Sequence, residues 1–170
     1  MTKLAQLRLI SIGPASARFE DVTLDFRGPD DRAMESVLWL RNGGGKSTLL
    51  SLFFAGILPG KRQFLGKHAG GKKRQLNDYV RPSDRGVVAC QWELDSERPL
   101  LDGGDAPQYL TGVFYERDRT AEAAADGDAG PIRRLFFAAI ISEDEPRLTL
   151  EGIPLFVDSS GAPMNRRTMK

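Results

Sequence analysis

Apolar and polar residues alternate cleanly in several short stretches of the chain. Leu4–Ile12 places Leu7 and Leu9 on one face and Arg8 and Ile10 on the other, which predicts a strand. Gly13-Pro14 ends it. Val22–Phe26 alternates in the same way and predicts a half-buried strand, and Gly28-Pro29-Asp30-Asp31 predicts a turn after it. Ser36-Val37-Leu38-Trp39-Leu40 is a short apolar run, the pattern of a buried central strand. Lys46 to about Ile57 is dense in Leu and Phe and is followed by Pro59-Gly60, which predicts a helix with a defined stop. Gly86–Leu94 and Gln108–Glu116 read as an antiparallel pair, and Arg133–Ile141 as a further strand. Arg147–Leu150 and Ile153–Val157 read as two short ones.

Charge refines this picture. Lys and Arg total 24 and Asp and Glu 23, so net charge alone gives no push toward nucleic acid or membrane. The charges are segregated, however. Lys61–Arg74 holds six basic residues and no acid, within a basic loop expected to be flexible over about 60–85. Asp95–Asp128 carries nine acids against three arginines, with an Ala-rich flexible loop expected over about 118–131. At 170 residues the chain is long enough for one domain with a real core. Cys90 is the sole cysteine, which rules out an internal disulfide and fits a reducing cytoplasm. No apolar run approaches the length of a membrane span.

Asn42-Gly43-Gly44-Gly45-Lys46-Ser47-Thr48 carries the chemistry. A triphosphate needs several backbone N–H groups aimed at its oxygens, and glycine lets the backbone wrap that closely and adopt positive φ. A helix starting at Lys46 adds the positive end of its dipole. Lys46 is the residue to reach the β- and γ-phosphates, in a catalytic as well as a binding role. Ser47 is the ligand for Mg²⁺, and residues 42–48 together form the ATP site. The general pattern has glycine where this chain has Leu40, which alters how the strand turns into the loop.

Two strands precede the strand that leads into this loop. With the segments LRLISIGPASARFEDVTLDF and SVLWLRNGGGKSTLLSLFFAGILPG, the chain resembles the N-terminal part of an SMC/RecF/MukB-like ATPase head, of the ABC type with a coiled coil. The resemblance covers about residues 4–58 and is vague beyond. It implies an α/β P-loop NTPase fold, an ABC-ATPase-like half-head with a mixed parallel and antiparallel sheet. It also implies a chain that continues beyond this one, with Walker B and signature motifs in a C-terminal half-head. Ile153–Asp158 and Ala138–Asp144 do not supply a Walker B, and Gln91 and Gln108 are uncertain matches to the Q-loop glutamine. The implied partners are ATP, that C-terminal half-head, a second head, DNA and accessory subunits, with no membrane. Chromosome segregation, repair, or plasmid and phage defence is the implied setting. Arg62 and Arg74 are candidate contacts to nucleotide or DNA.

Other readings compete. A stand-alone nucleotide or small-molecule kinase fits the chain length but not the loop's position behind two strands. Asp158–Gly161 resembles a GTPase element but lies too far from Lys46, and no guanine-reading motif accompanies it. The basic stretch could contact DNA phosphates, but with Phe64 as its one aromatic it reads rather more as a solvated loop. His68 has no ligand partners at metal spacing, and Cys90, Trp39 and Trp92 are expected in the core.

Overall fold

The computed structural model describes residues 2–58, 65, 71, 74–81, 85–94, 108–117, 132–141 and 150. They form strands β1 (Thr2–Ile12), β2 (Phe19–Asp25), β3 (Arg85–Leu94), β4 (Gln108–Arg117) and β5 (Ile132–Ile141), and one α-helix, α1 (Lys46–Ile57). The sheet order is β2-β1-β3-β4-β5, and every neighbouring pair is antiparallel.

The registers follow from burial. Leu7 faces Leu24 on β2 and Cys90 on β3, and Leu9 faces Val22 and Val88. Leu7 and Leu9 therefore share a face with Val88, Cys90, Val113 and Tyr115, and α1 covers that face with Leu49 and Leu52. Burying each of these leucines stabilises the fold by ~2 kcal/mol. Gly56 allows the helix to lie close: a Cβ there would meet Val88 Cγ1 at 3.3 Å. Ile10 turns to the opposite face with Val87, Ala89 and Leu110. Arg8 also leaves the helix-covered face, pairing with Asp21 and donating to the Leu150 carbonyl at 2.9 Å.

This architecture corrects the expected fold class. The resemblance implies an α/β P-loop NTPase with an ABC-ATPase-like mixed sheet, whereas the described strands make a five-stranded, wholly antiparallel sheet with a single α-helix. The discrepancy lies at Ser36–Leu40. That run forms no strand, and all of its side chains but that of Leu40 face outward, with Val37 93% and Trp39 89% exposed. An apolar run becomes a central strand only when neighbours exist on both sides of it, and among the described residues nothing pairs with this one. Trp39, expected in the core, is therefore at the surface. Trp92 does pack inward, against Phe53, and its indole N–H donates to Thr111 Oγ1 at 2.7 Å.

The other strand expectations that fall on described residues meet their elements within a few residues, as does the helix. The turn at Gly28–Asp31 is present, closed by the Asp31 N–H donating to the Gly28 carbonyl at 3.0 Å. Cys90 is buried on β3, and burial pushes its thiol up to about 12. Residues 147–149 and 153–157, the two short strands expected near the end, lie outside the described residues, as do the acidic loop's core and most of the basic stretch.

Candidate phosphate-binding loop

The loop is assembled by backbone conformations that glycine favours. Gly43 has φ 81° and Gly45 φ 85°, both in the left-handed region where a Cβ is strained. Between them, the Gly44 N–H donates to the Arg41 carbonyl at 2.9 Å and closes a tight turn. Gly45 then caps α1, and the first helical bond runs from the Leu49 N–H to the Gly45 carbonyl at 2.8 Å.

The start of α1 is well suited to an anion. The first amides of a helix have no intrahelical acceptor. Among the described residues no side chain caps them, and no acid lies in the first turn. The positive end of the helix dipole thus meets neither a capping side chain among the described residues nor an acid in the first turn. Lys46 and Ser47 are at the surface, as are Asn42, Gly43 and Gly44. The Lys46 ammonium folds back over the loop, donating to the carbonyls of Leu40 at 2.5 Å and Arg41 at 3.3 Å. Leu40 thus contributes its carbonyl to the loop while its side chain packs against the core. Thr48 behaves differently from its neighbours, since its side chain is buried under the helix. Of Thr48, the backbone N–H is the part that the loop can offer.

The loop has a fixed seat. A Cβ on Gly45 would lie 3.5 Å from Phe19 Cζ and 3.7 Å from Ala17 Cβ. The corner that carries Ala17 is anchored in turn, because the Gly13 N–H donates to the Tyr79 carbonyl at 2.9 Å. Tyr79 is fully buried and donates its hydroxyl to the Leu65 carbonyl at 2.7 Å. Nothing in the sequence pattern marks Ala17, Phe19 or Tyr79 as supports of the loop, since they are brought together by long-range packing.

Arg74 lies beside Tyr79, with Nη1 3.5 Å from the hydroxyl and a buried Nε that has no hydrogen-bond partner among the described residues. The structure thus ties Arg74 to the residue that anchors the loop's corner. Arg62 and His68 fall outside the described residues. Gln91 and Gln108 lie on adjacent strands, and their amides bond to each other at 2.6 Å. Alternation along β3 puts Gln91 with Val87 and Ala89, on the face away from α1. It does not point toward the loop.

A groove of about 520 Å³ opens at the far end of α1, lined by Ile57, Trp92, Tyr109, Thr111 and Phe136 among others. A helix of 12 residues is about 18 Å long, so this apolar groove is separate from the phosphate loop. Among the described residues, no helix is long and apolar enough to cross a membrane. Comparisons with protein-family models, curated proteins and solved structures find no match to the chain.

Proposed function

We propose that the chain binds ATP at residues 42–48 as the N-terminal part of a cytoplasmic, SMC-like ATPase acting on DNA, with hydrolysis completed by a C-terminal half. The observation that carries this reading is the loop itself. Two left-handed glycines turn the backbone into a helix start with no side-chain cap among the described residues, and Lys46 and Ser47 stand at the surface in its first two positions. Phosphate oxygens would accept from the amides of Gly45 through Thr48, and the Lys46 ammonium would exchange the Leu40 and Arg41 carbonyls for them.

Mg²⁺ suits this donor set, because it takes few protein ligands and completes its shell with water and phosphate oxygens. The Ser47 hydroxyl would hold it, and bound there it neutralises charge on the β- and γ-phosphates. Hydrolysis is assigned to the C-terminal half, so this chain alone holds ATP with little turnover. Exposed apolar side chains flank the loop in sequence, with Val37, Leu38 and Trp39 before it and Leu50 and Phe54 on α1 after it. These exposed apolar side chains are what a second half would cover. Equilibrium binding of Mg-ATP to the chain and to Lys46→Ala tests the reading. The substitution should weaken binding at least about tenfold, the loss of one charge-assisted contact. Equal affinity of the two proteins would remove the loop from the account.

A further inference from the structure

The two edges of the sheet are built differently. β2, at one edge, carries Glu20, Asp21 and Asp25 among its seven residues. Charges of this kind keep an edge strand from pairing with another chain. β5, at the other edge, pairs only with β4 among the described residues. From Leu135 to Ile141 it reads Leu-Phe-Phe-Ala-Ala-Ile-Ile, with no charge, no proline and no glycine. Leu135 is 59% exposed, Phe136 46% and Ile140 63%. Among the described residues, one edge is thus guarded and the other is a long apolar ladder.

The order of large and small residues on β5 says what fits it. We propose that β5 pairs antiparallel with β5 of a second copy, about a two-fold axis at Phe137, to make a continuous ten-stranded sheet. In that register Phe136 lies opposite Ala138 of the other copy, and Leu135 lies opposite Ala139. A large side chain meets a small one at each of these pairs, on both faces of the sheet. Arg134 falls opposite Ile140, so no two cations face each other. On the axis Phe137 meets its own copy, and its ring leans over Gly112 toward β4 and so away from the facing strand. Moving the axis by one residue toward Phe136 instead stacks the exposed Phe136 on its own copy and sets Leu135 against Phe137. Moving it toward Ala138 sets Phe136 against Ile140 and leaves alanine facing alanine at the centre. The contact is isologous, so it closes at two copies, while the acids of β2 oppose growth from the other edges. It needs no nucleotide and uses no residue of the phosphate loop, so its success or failure is independent of the ATP reading.

Sedimentation of the nucleotide-free chain should give a dimer. Ala138→Lys, at an exposed position, places a cation against Phe136 of the other copy and should weaken self-association at least about tenfold. Its circular dichroism and melting temperature measured at low concentration should match those of the parent, which separates lost pairing from lost folding. A second experiment reads the register. Mixed and oxidised, Phe136→Cys and Ala138→Cys chains should crosslink to each other in preference to themselves. Only the 136–138 pair brings Cα atoms within disulfide reach. A monomeric parent, a dimer unaffected by Ala138→Lys, open-ended aggregation, or crosslinks without that preference would each overturn the proposal.

Discussion

Phe137 lies directly over Gly112, its partner across the β4–β5 ladder, so that a Cβ added to Gly112 would sit 2.3 Å from Phe137 Cζ. The same ring is 5.7 Å from Phe114, centroid to centroid. The missing side chain is the space that the aromatic ring fills, and it holds the edge strand to the sheet. Gly112→Ala should therefore destabilise the protein by about 1–3 kcal/mol, the usual cost of overpacking, although alanine is a better strand residue. Chemical denaturation checks this, and an unchanged midpoint would mean that Phe137 moves aside freely.

Glu93 is only 4% exposed, yet it carries a carboxylate. That carboxylate accepts from the Ala33 N–H at 2.7 Å and pairs with Arg32, fastening the turn after β2 to β3. Glu93→Ala should cost about 1–3 kcal/mol, because it strands a buried amide. Glu93→Gln keeps an acceptor for Ala33 and should cost less. Equal losses in denaturant melts would show that the Arg32 ion pair, and not the amide bond, matters.

Stability should fall at alkaline pH. Burial raises Cys90 from 9.0 and Tyr115 from 10.0, each to about 12. Both groups stay neutral in the folded state while the unfolded chain ionises, so their contribution is complete below about pH 9 and is lost as pH rises toward 12. The full loss is on the order of 2–4 kcal/mol per group. Cys90→Ala with Tyr115→Phe should flatten the alkaline limb of a stability–pH curve. A limb of unchanged slope in that variant would point to other groups. Cys90 should also resist thiol reagents in the folded protein and react on unfolding.

Gly45 links folding to binding. Its φ of 85° disfavours any side chain, and Phe19 and Ala17 limit the space beside it. Gly45→Val should cost at least about 1–2 kcal/mol of stability and abolish ATP binding by deforming the helix start. Wild-type ATP affinity in a folded Gly45→Val protein would show that the left-handed cap is dispensable.

Local pattern made the strands and the helix legible. Leu7 and Leu9 against Arg8 and Ile10 is a two-residue period, and the structure sorts those residues onto the expected faces of β1. The glycine loop was legible for a similar reason, since its conformation is a local property of Gly43 and Gly45. Ser36–Leu40 was not, because an apolar run states only that burial would be favourable. Whether it is buried depends on neighbours that the run does not encode, and Val37 and Trp39 face outward. The order of the sheet was equally hidden. β3 inserts beside β1 through contacts such as Leu9 with Val88, which are far apart along the chain. The supports of the loop at Phe19 and Tyr79 have the same long-range origin.

The most direct test of phosphate binding is to follow backbone amide resonances while Mg-ATP is added. The amides of Gly43, Gly44, Gly45, Lys46, Ser47 and Thr48 should shift together and saturate with one affinity, and Lys46→Ala should abolish the response. Saturable ATP binding that moves other amides and leaves these six in place, or no binding at all, would contradict the account.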